Sequence, residues 1–252
     1  MTELLLVACA GVLAGAMNAM AGGGSFVSLP ALIAFGVPST IANASSTVAL
    51  FPGGLASVWA YRRGLRPIAS VPVRTMAAVT VTGGLIGGLL LILTPSRAFD
   101  VILPWLLLTA TLAIVFAKQI GEALRRRFTL GAPVVLGVQF VLGLYGGYFG
   151  GAVGLMMLAA WGLLDGADPK SLNPPRTLMT SAANSASILL FIVTGMVAWA
   201  PALALLLGAL AGGYGGALIG QRLPAAVVRG FTIFITATTT LVFFFRAFAQ
   251  GI

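Results

Sequence analysis

Apolar positions along this chain gather into eight stretches, at residues 4–35, 41–61, 73–93, 102–117, 130–164, 177–193, 201–219 and 231–245. A helix needs about 20 apolar residues to cross a hydrocarbon core about 30 Å thick, and six of the stretches come close to one crossing. The first and fifth overrun it, and glycine interrupts both. Gly22-Gly23-Gly24 separates 4–21 from 25–35, and Gly150-Gly151 separates 130–149 from 152–164. At 1.5 Å per residue the pieces after the glycines are only about 16 to 20 Å long, so each is expected to be a re-entrant half-helix or a stubby crossing.

Composition removes the soluble alternatives. Of 252 residues, 59% are hydrophobic and 8% charged, with a mean hydropathy of +1.07; an ordinary soluble domain carries roughly 25% charged residues. The fold class expected is an all-α integral membrane protein of about 8–10 membrane helices, the two short or re-entrant half-helices included. The net charge of +9 reads as topology, since Lys and Arg gather in cytoplasmic loops, and there is no basic face for nucleic acid. Histidine is absent and Cys9 is the one cysteine. That excludes a disulfide within the chain, a zinc cluster and an iron–sulfur site; no cofactor is expected. With Glu3 and no basic segment ahead of it, the first apolar stretch is expected to be a span and not a cleaved signal peptide.

The halves match each other at an offset of about 128 residues. Gly15, Gly22 and Gly23 fall on Gly143, Gly150 and Gly151; Asn43 and Thr47 on Asn173 and Thr177; Gly83 and Gly84 on Gly212 and Gly213; Pro95 on Pro224. The run Leu108-Thr109-Ala110-Thr111 recurs as Ile235-Thr236-Ala237-Thr238. Two homologous repeats are therefore expected, 1–127 and 128–252, forming one structural domain. The hairpin after residue 61 holds Arg62, Arg63, Arg66 and Arg74, whereas its counterpart at 194–199 has no charge. The next turns reverse the bias, and Lys118, Arg125, Arg126 and Arg127 put the central linker in the cytoplasm. This pattern favours inverted repeats with an odd number of crossings each; eight full spans in parallel repeats is the rival count.

Two motifs carry a resemblance. The segment Gly15-Ala-Met-Asn-Ala-Met-Ala-Gly-Gly-Gly-Ser25, then Leu29-Pro30-Ala31-Leu32, Gly36-Val37-Pro38 and Ala42-Asn43-Ala44-Ser45-Ser46-Thr47, resembles the opening signature of the TauE/SafE sulfite exporter family. The closing Gly220-Gln-Arg-Leu-Pro224 is similar to that family's last motif. The resemblance implies a multi-pass carrier in the bacterial inner membrane for small anions, usually sulfur oxyanions or organosulfonates. Repeat two departs from it, with Asn173-Pro174-Pro175-Arg176-Thr177 where Asn43-Ala44-Ser45-Ser46-Thr47 is expected.

The residues point to the same chemistry. A helix interrupted in the membrane frees N–H groups at the start of the next half-helix, and these with the positive dipole end can receive an anion. Gly22, Gly23, Gly24 and Ser25 at one break, with Gly150 and Gly151 at the other, are the candidate backbone donors. Ala152 is expected to begin the second half-helix. The alternative is that these glycines only allow close packing, as Gly83, Gly84, Gly87, Gly88, Gly212, Gly216 and Gly220 are expected to do. Asn43, Ser46, Thr47, Asn173, Thr177 and Asn184 are the candidate side-chain donors. Interhelical hydrogen bonding, or helix capping by the two asparagines, is the plain alternative. Pro174-Pro175 are expected to start a helix, letting Arg176 either turn into a vestibule and grip an oxyanion with two parallel hydrogen bonds or contact lipid phosphate. Trp59, Trp105, Trp161 and Trp199 are expected to be interfacial anchors.

Acidic residues are expected only in a terminus or in loops, so a buried proton relay has no members, and no intramembrane protease motif is present. The chain is expected to be no enzyme but a secondary transporter that exports a small sulfur-containing or organic anion such as sulfite, sulfoacetate or a similar sulfonate. The alternatives are an anion-selective channel or a carrier of short carboxylates. Its partners would be the anionic solute and the lipid bilayer, with a homodimer as one assembly state.

Overall fold

The computed structural model describes residues 2–125, 131–164, 169–220 and 222–249. Among these the chain forms ten α-helices: α1 (Thr2–Ala21), α2 (Ser25–Ala34), α3 (Ser39–Tyr61), α4 (Val73–Leu93), α5 (Ser96–Arg125), α6 (Ala132–Phe149), α7 (Val153–Leu164), α8 (Pro169–Val193), α9 (Trp199–Gly220) and α10 (Ala225–Ala249). Seven of them, all but α2, α3 and α7, are long and apolar enough to cross a bilayer. The all-α membrane architecture is as the sequence implies. At 23 residues α3 has the length but not the hydropathy. Its first half, including Asn43, Ser45, Ser46 and Thr47, is buried inside the protein, where protein groups and not lipid meet the polar side chains.

Both glycine stretches end a helix. Gly22 and Gly150 take positive φ values of 80° and 70°, a conformation open to glycine at no steric cost. The chain then doubles back. A Cβ on Gly24 would lie 2.6 Å from the Ala14 carbonyl oxygen, and one surface groove is lined by Glu3, Leu6 and Val7 of α1 together with Ala31 and Ala34 of α2 and the adjacent Phe35. The second hairpin closes likewise, with Trp161 near the end of α7 bonded to Gln139 midway along α6.

Glycine also sets the helix contacts. α1 packs on α9 and α4 on α6, each through backbone-to-backbone approaches. In the first pair Gly11 and Gly15 meet the carbonyls of Leu205 and Ala209, and Gly212 meets that of Val12. In the second, Gly87 meets the Leu144 carbonyl and Gly147 that of Gly84. Lipid supplies no hydrophobic drive between helices, so such close approach is what holds them. Of the glycines read as packing residues, Gly83, Gly84, Gly87, Gly88, Gly212 and Gly216 lie against neighbouring backbone. α3 and α8 run antiparallel: Gly54 faces Ser181 and Gly64 faces Pro174.

Four expectations need correction. Trp161 is no anchor; it is fully buried and gives its Nε1–H to Gln139 Oε1 at 3.0 Å, while Trp59, Trp105 and Trp199 are exposed. Asp100 is not in a loop, because α5 starts at Ser96, directly after Pro95, and runs through it. Pro174 and Pro175 lie inside α8, not at its start. Proline lacks the N–H that would bond the carbonyl four residues back, and Arg66 donates to the Ser171 carbonyl so released. α7 begins at Val153, after Ala152, which has φ 58°. The side chains of Lys118, Glu122, Arg125, Arg126, Arg127, Asp165, Asp168 and Lys170 lie outside the described residues.

Candidate functional site

The two helix breaks, far apart in sequence, meet inside the protein. A Cβ on Gly151 would lie 3.0 Å from Ser25 Cβ, and one on Gly23 would lie 3.7 Å from Leu155 Cδ1. Gly150 presses on Thr47 of α3, while a Cβ on Gly22 would stand 3.1 Å from Arg176 Nη1 of α8. Each break thus faces the polar stretch of a different long helix.

The freed donors are real. Among the described residues the N–H groups of Gly23 and Gly24, and of Gly151, Ala152 and Gly154, give no backbone hydrogen bond. Ser25, the first residue of α2, is buried and its hydroxyl makes no hydrogen bond. Ala152 holds its positive φ while buried, strain of about 1–3 kcal/mol for a residue with a Cβ. Strain of this kind persists only where surrounding contacts impose it.

Among the described residues, Arg176 is the one charged side chain set against the breaks. It is partly buried and its Nε is shut off from solvent without a hydrogen-bond partner. Its Cγ and Cδ lie along Gly154, 3.7 and 3.6 Å from where a Cβ would be, beside Thr180 Oγ1 at 3.1 Å. The aliphatic stem is thus packed in protein and the guanidinium carried toward Gly22. Of the two settings expected for Arg176, the interior one matches this contact. On α8 the helical repeat puts Asn173, Thr177, Thr180 and Asn184 on one face. Asn184 Oδ1 is buried and also without a partner.

Other candidates are occupied. Asn43 gives its Nδ2–H to the Tyr148 carbonyl at 2.9 Å, so it ties α3 to the end of α6; it caps nothing, since the residue before α3 is Pro38. Ser46 bonds Ser28 at 2.5 Å. Thr47 and Thr177 donate to carbonyls of their own helices, Asn43 and Pro174, both at 2.9 Å. These hydroxyls are already engaged, and of them Thr47 is the one set against a break, at Gly150. Asn173 is partly buried near the start of α8. Gly154 and Thr180 complete the constellation: Thr180 lies one turn beyond Arg176 on α8, as the sequence spacing implies, whereas only the folded structure brings Gly154 of α7 to them. The Thr80–Gln139–Trp161 chain of hydrogen bonds, at 2.7 and 3.0 Å, is separate and fully satisfied.

Comparison with known proteins points to a membrane transporter. A family model described as sulfite exporter TauE/SafE matches residues 7–243. A probable membrane transporter protein of Escherichia coli, YfcA, is 26% identical over 96% of this chain and 89% of its own. A probable membrane transporter protein of Haemophilus influenzae is 27% identical over 94% of this chain and 92% of its own, and one of a Sinorhizobium species, ORF9, is 23% identical over 90% and 87%. No solved structure is matched.

Proposed function

This chain belongs to the TauE/SafE sulfite exporter family and is a multi-pass bacterial membrane transporter of that type, and on that premise we propose that it exports a small sulfur-containing or organic anion, such as sulfite, sulfoacetate or a similar sulfonate. The observation that carries the reading is the Arg176 guanidinium, with Nη1 beside Gly22 and Nε buried without a partner. An oxyanion there would take charge-assisted hydrogen bonds from the guanidinium and further ones from the free N–H groups at the breaks and the Ser25 hydroxyl. The protein donors are poorly solvated in the empty site, so binding relieves a cost already present there and offsets part of the anion's own dehydration.

The element pairing supports an inverted duplication as the frame of the mechanism. α1 on α9 mirrors α6 on α4, and α3 faces α8 as its own counterpart. The site then lies between the halves, and one half rocking on the other would expose it alternately. A monovalent anion leaving a negative cytoplasm gains about 2.3 kcal/mol per 100 mV, enough to favour export without a proton relay. Saturable counterflow of labelled sulfite or sulfonate in proteoliposomes, lost in Arg176→Gln, is the expected result; non-saturable flux without counterflow would identify a channel instead.

A further inference from the structure

From the charge inventory of the site we infer that it selects singly charged oxyanions, hydrogensulfite or a monosulfonate, over dianions; this rests on the transport reading above and sharpens it. Of the described Asp, Glu, Lys and Arg side chains, Glu3, Arg62, Arg63, Arg74, Arg97, Arg222, Arg229 and Arg246 are exposed, and Arg66, Asp100 and Arg176 are partly buried; the exposed Tyr61, neutral near pH 7, is the titratable group that interacts with Arg176. Arg66 bonds Ser171 near the start of α8, and Asp100 lies at the start of α5. Arg176 alone reaches the breaks, and it makes no ion pair.

The helix dipoles do not add a second full charge. Each break joins the C-terminal end of one helix, α1 or α6, to the N-terminal end of the next, α2 or α7, so opposite partial charges of about half a unit lie side by side and cancel beyond hydrogen-bonding range. What the site offers an anion is one integral charge and several short-range N–H donors. A monoanion leaves it neutral, whereas a dianion leaves one uncompensated negative charge in a region of low dielectric, which is strongly unfavourable. The same arithmetic assigns the voltage-sensitive step. The empty site carries the positive charge of Arg176 and the loaded site carries none, so the potential acts on the return of the empty carrier, which a negative cytoplasm draws toward the side where the solute waits.

The test begins with the parent protein. Purified protein is titrated with methanesulfonate, sulfite and sulfoacetate at several pH values around neutrality, and binding is read by thermal shift. Methanesulfonate is a monoanion throughout, so its affinity should stay flat and report any titration of the protein itself. Sulfite loses its second proton near neutral pH, so its apparent affinity should fall about tenfold for each pH unit above that point. Sulfoacetate, a dianion, should bind at least about tenfold more weakly than methanesulfonate. Thr180→Lys, which sets a second cation beside Arg176, should narrow or reverse that gap. In proteoliposomes, methanesulfonate exchange should be insensitive to an imposed potential while net efflux responds to it. Sulfite binding that strengthens with pH, or sulfoacetate binding as tightly as methanesulfonate, overturns the monoanion inference and leaves the transporter reading standing. Normal methanesulfonate binding by Arg176→Gln, or no binding of any anion by the parent, overturns the site reading itself.

Discussion

At the scale of single residues, the proposed site rests on groups without partners. Arg176 keeps a buried Nε unpaired, and removing an unpaired buried charge relieves desolvation. Arg176→Gln is therefore expected to abolish ligand-induced thermal shifts while leaving the unliganded melting temperature unchanged or raised. Asn43 behaves oppositely. Its amide is engaged with the Tyr148 carbonyl, so Asn43→Ala should cost about 1–3 kcal/mol of stability by stranding that acceptor. Thermal melts of the two variants with and without sulfonate check both statements. In the sequence the two residues look alike as polar candidates near helix starts. Which is spent on structure and which is free depends on what packs across from them, and the partner of Asn43 is 105 residues away.

Helices and hairpins are more legible. Runs of apolar residues and the glycine interruptions gave the spans, the two short helices and the breaks, because both signals are local: hydropathy over about 20 residues and the backbone freedom of glycine. What failed at this scale failed for reasons of context. Trp161 sits near the end of its apolar stretch, as an anchor would, yet Gln139 on the neighbouring helix draws it inside. The polar chain it completes stitches α7 to α6 and α6 to α4. Gln139→Leu leaves the Trp161 N–H buried and unpaired and should cost about 1–3 kcal/mol. The double variant Gln139→Leu with Trp161→Phe should recover part of that loss, since no donor is then stranded. Chemical or thermal unfolding in one detergent compares the three proteins directly.

At the scale of the whole molecule, the proposed inverted arrangement makes a prediction about sides. Gly64 packs on Pro174 near the start of α8, and Thr194 follows its last residue, so the arginine hairpin and the uncharged turn lie at opposite ends of a helix of 25 residues. With the native Cys9 replaced by Ala, a cysteine at Arg63 should react with an impermeant maleimide only from the cytoplasmic side, and one at Thr194 only from the other. Reaction of both from one side would refute the inverted reading. The sequence by itself determined that this chain lives in a bilayer as helices, where the helices break, and which family motifs it carries, since composition, periodicity and glycine conformation act over short stretches of chain. Only the tertiary structure decided that the two breaks touch, that Arg176, alone among the described residues, brings a full charge to them, and that most neighbouring hydroxyls are already spent. Those outcomes depend on contacts between residues remote in sequence, and in a close-packed interior the remaining partners of a polar group are known only once every neighbour is in position.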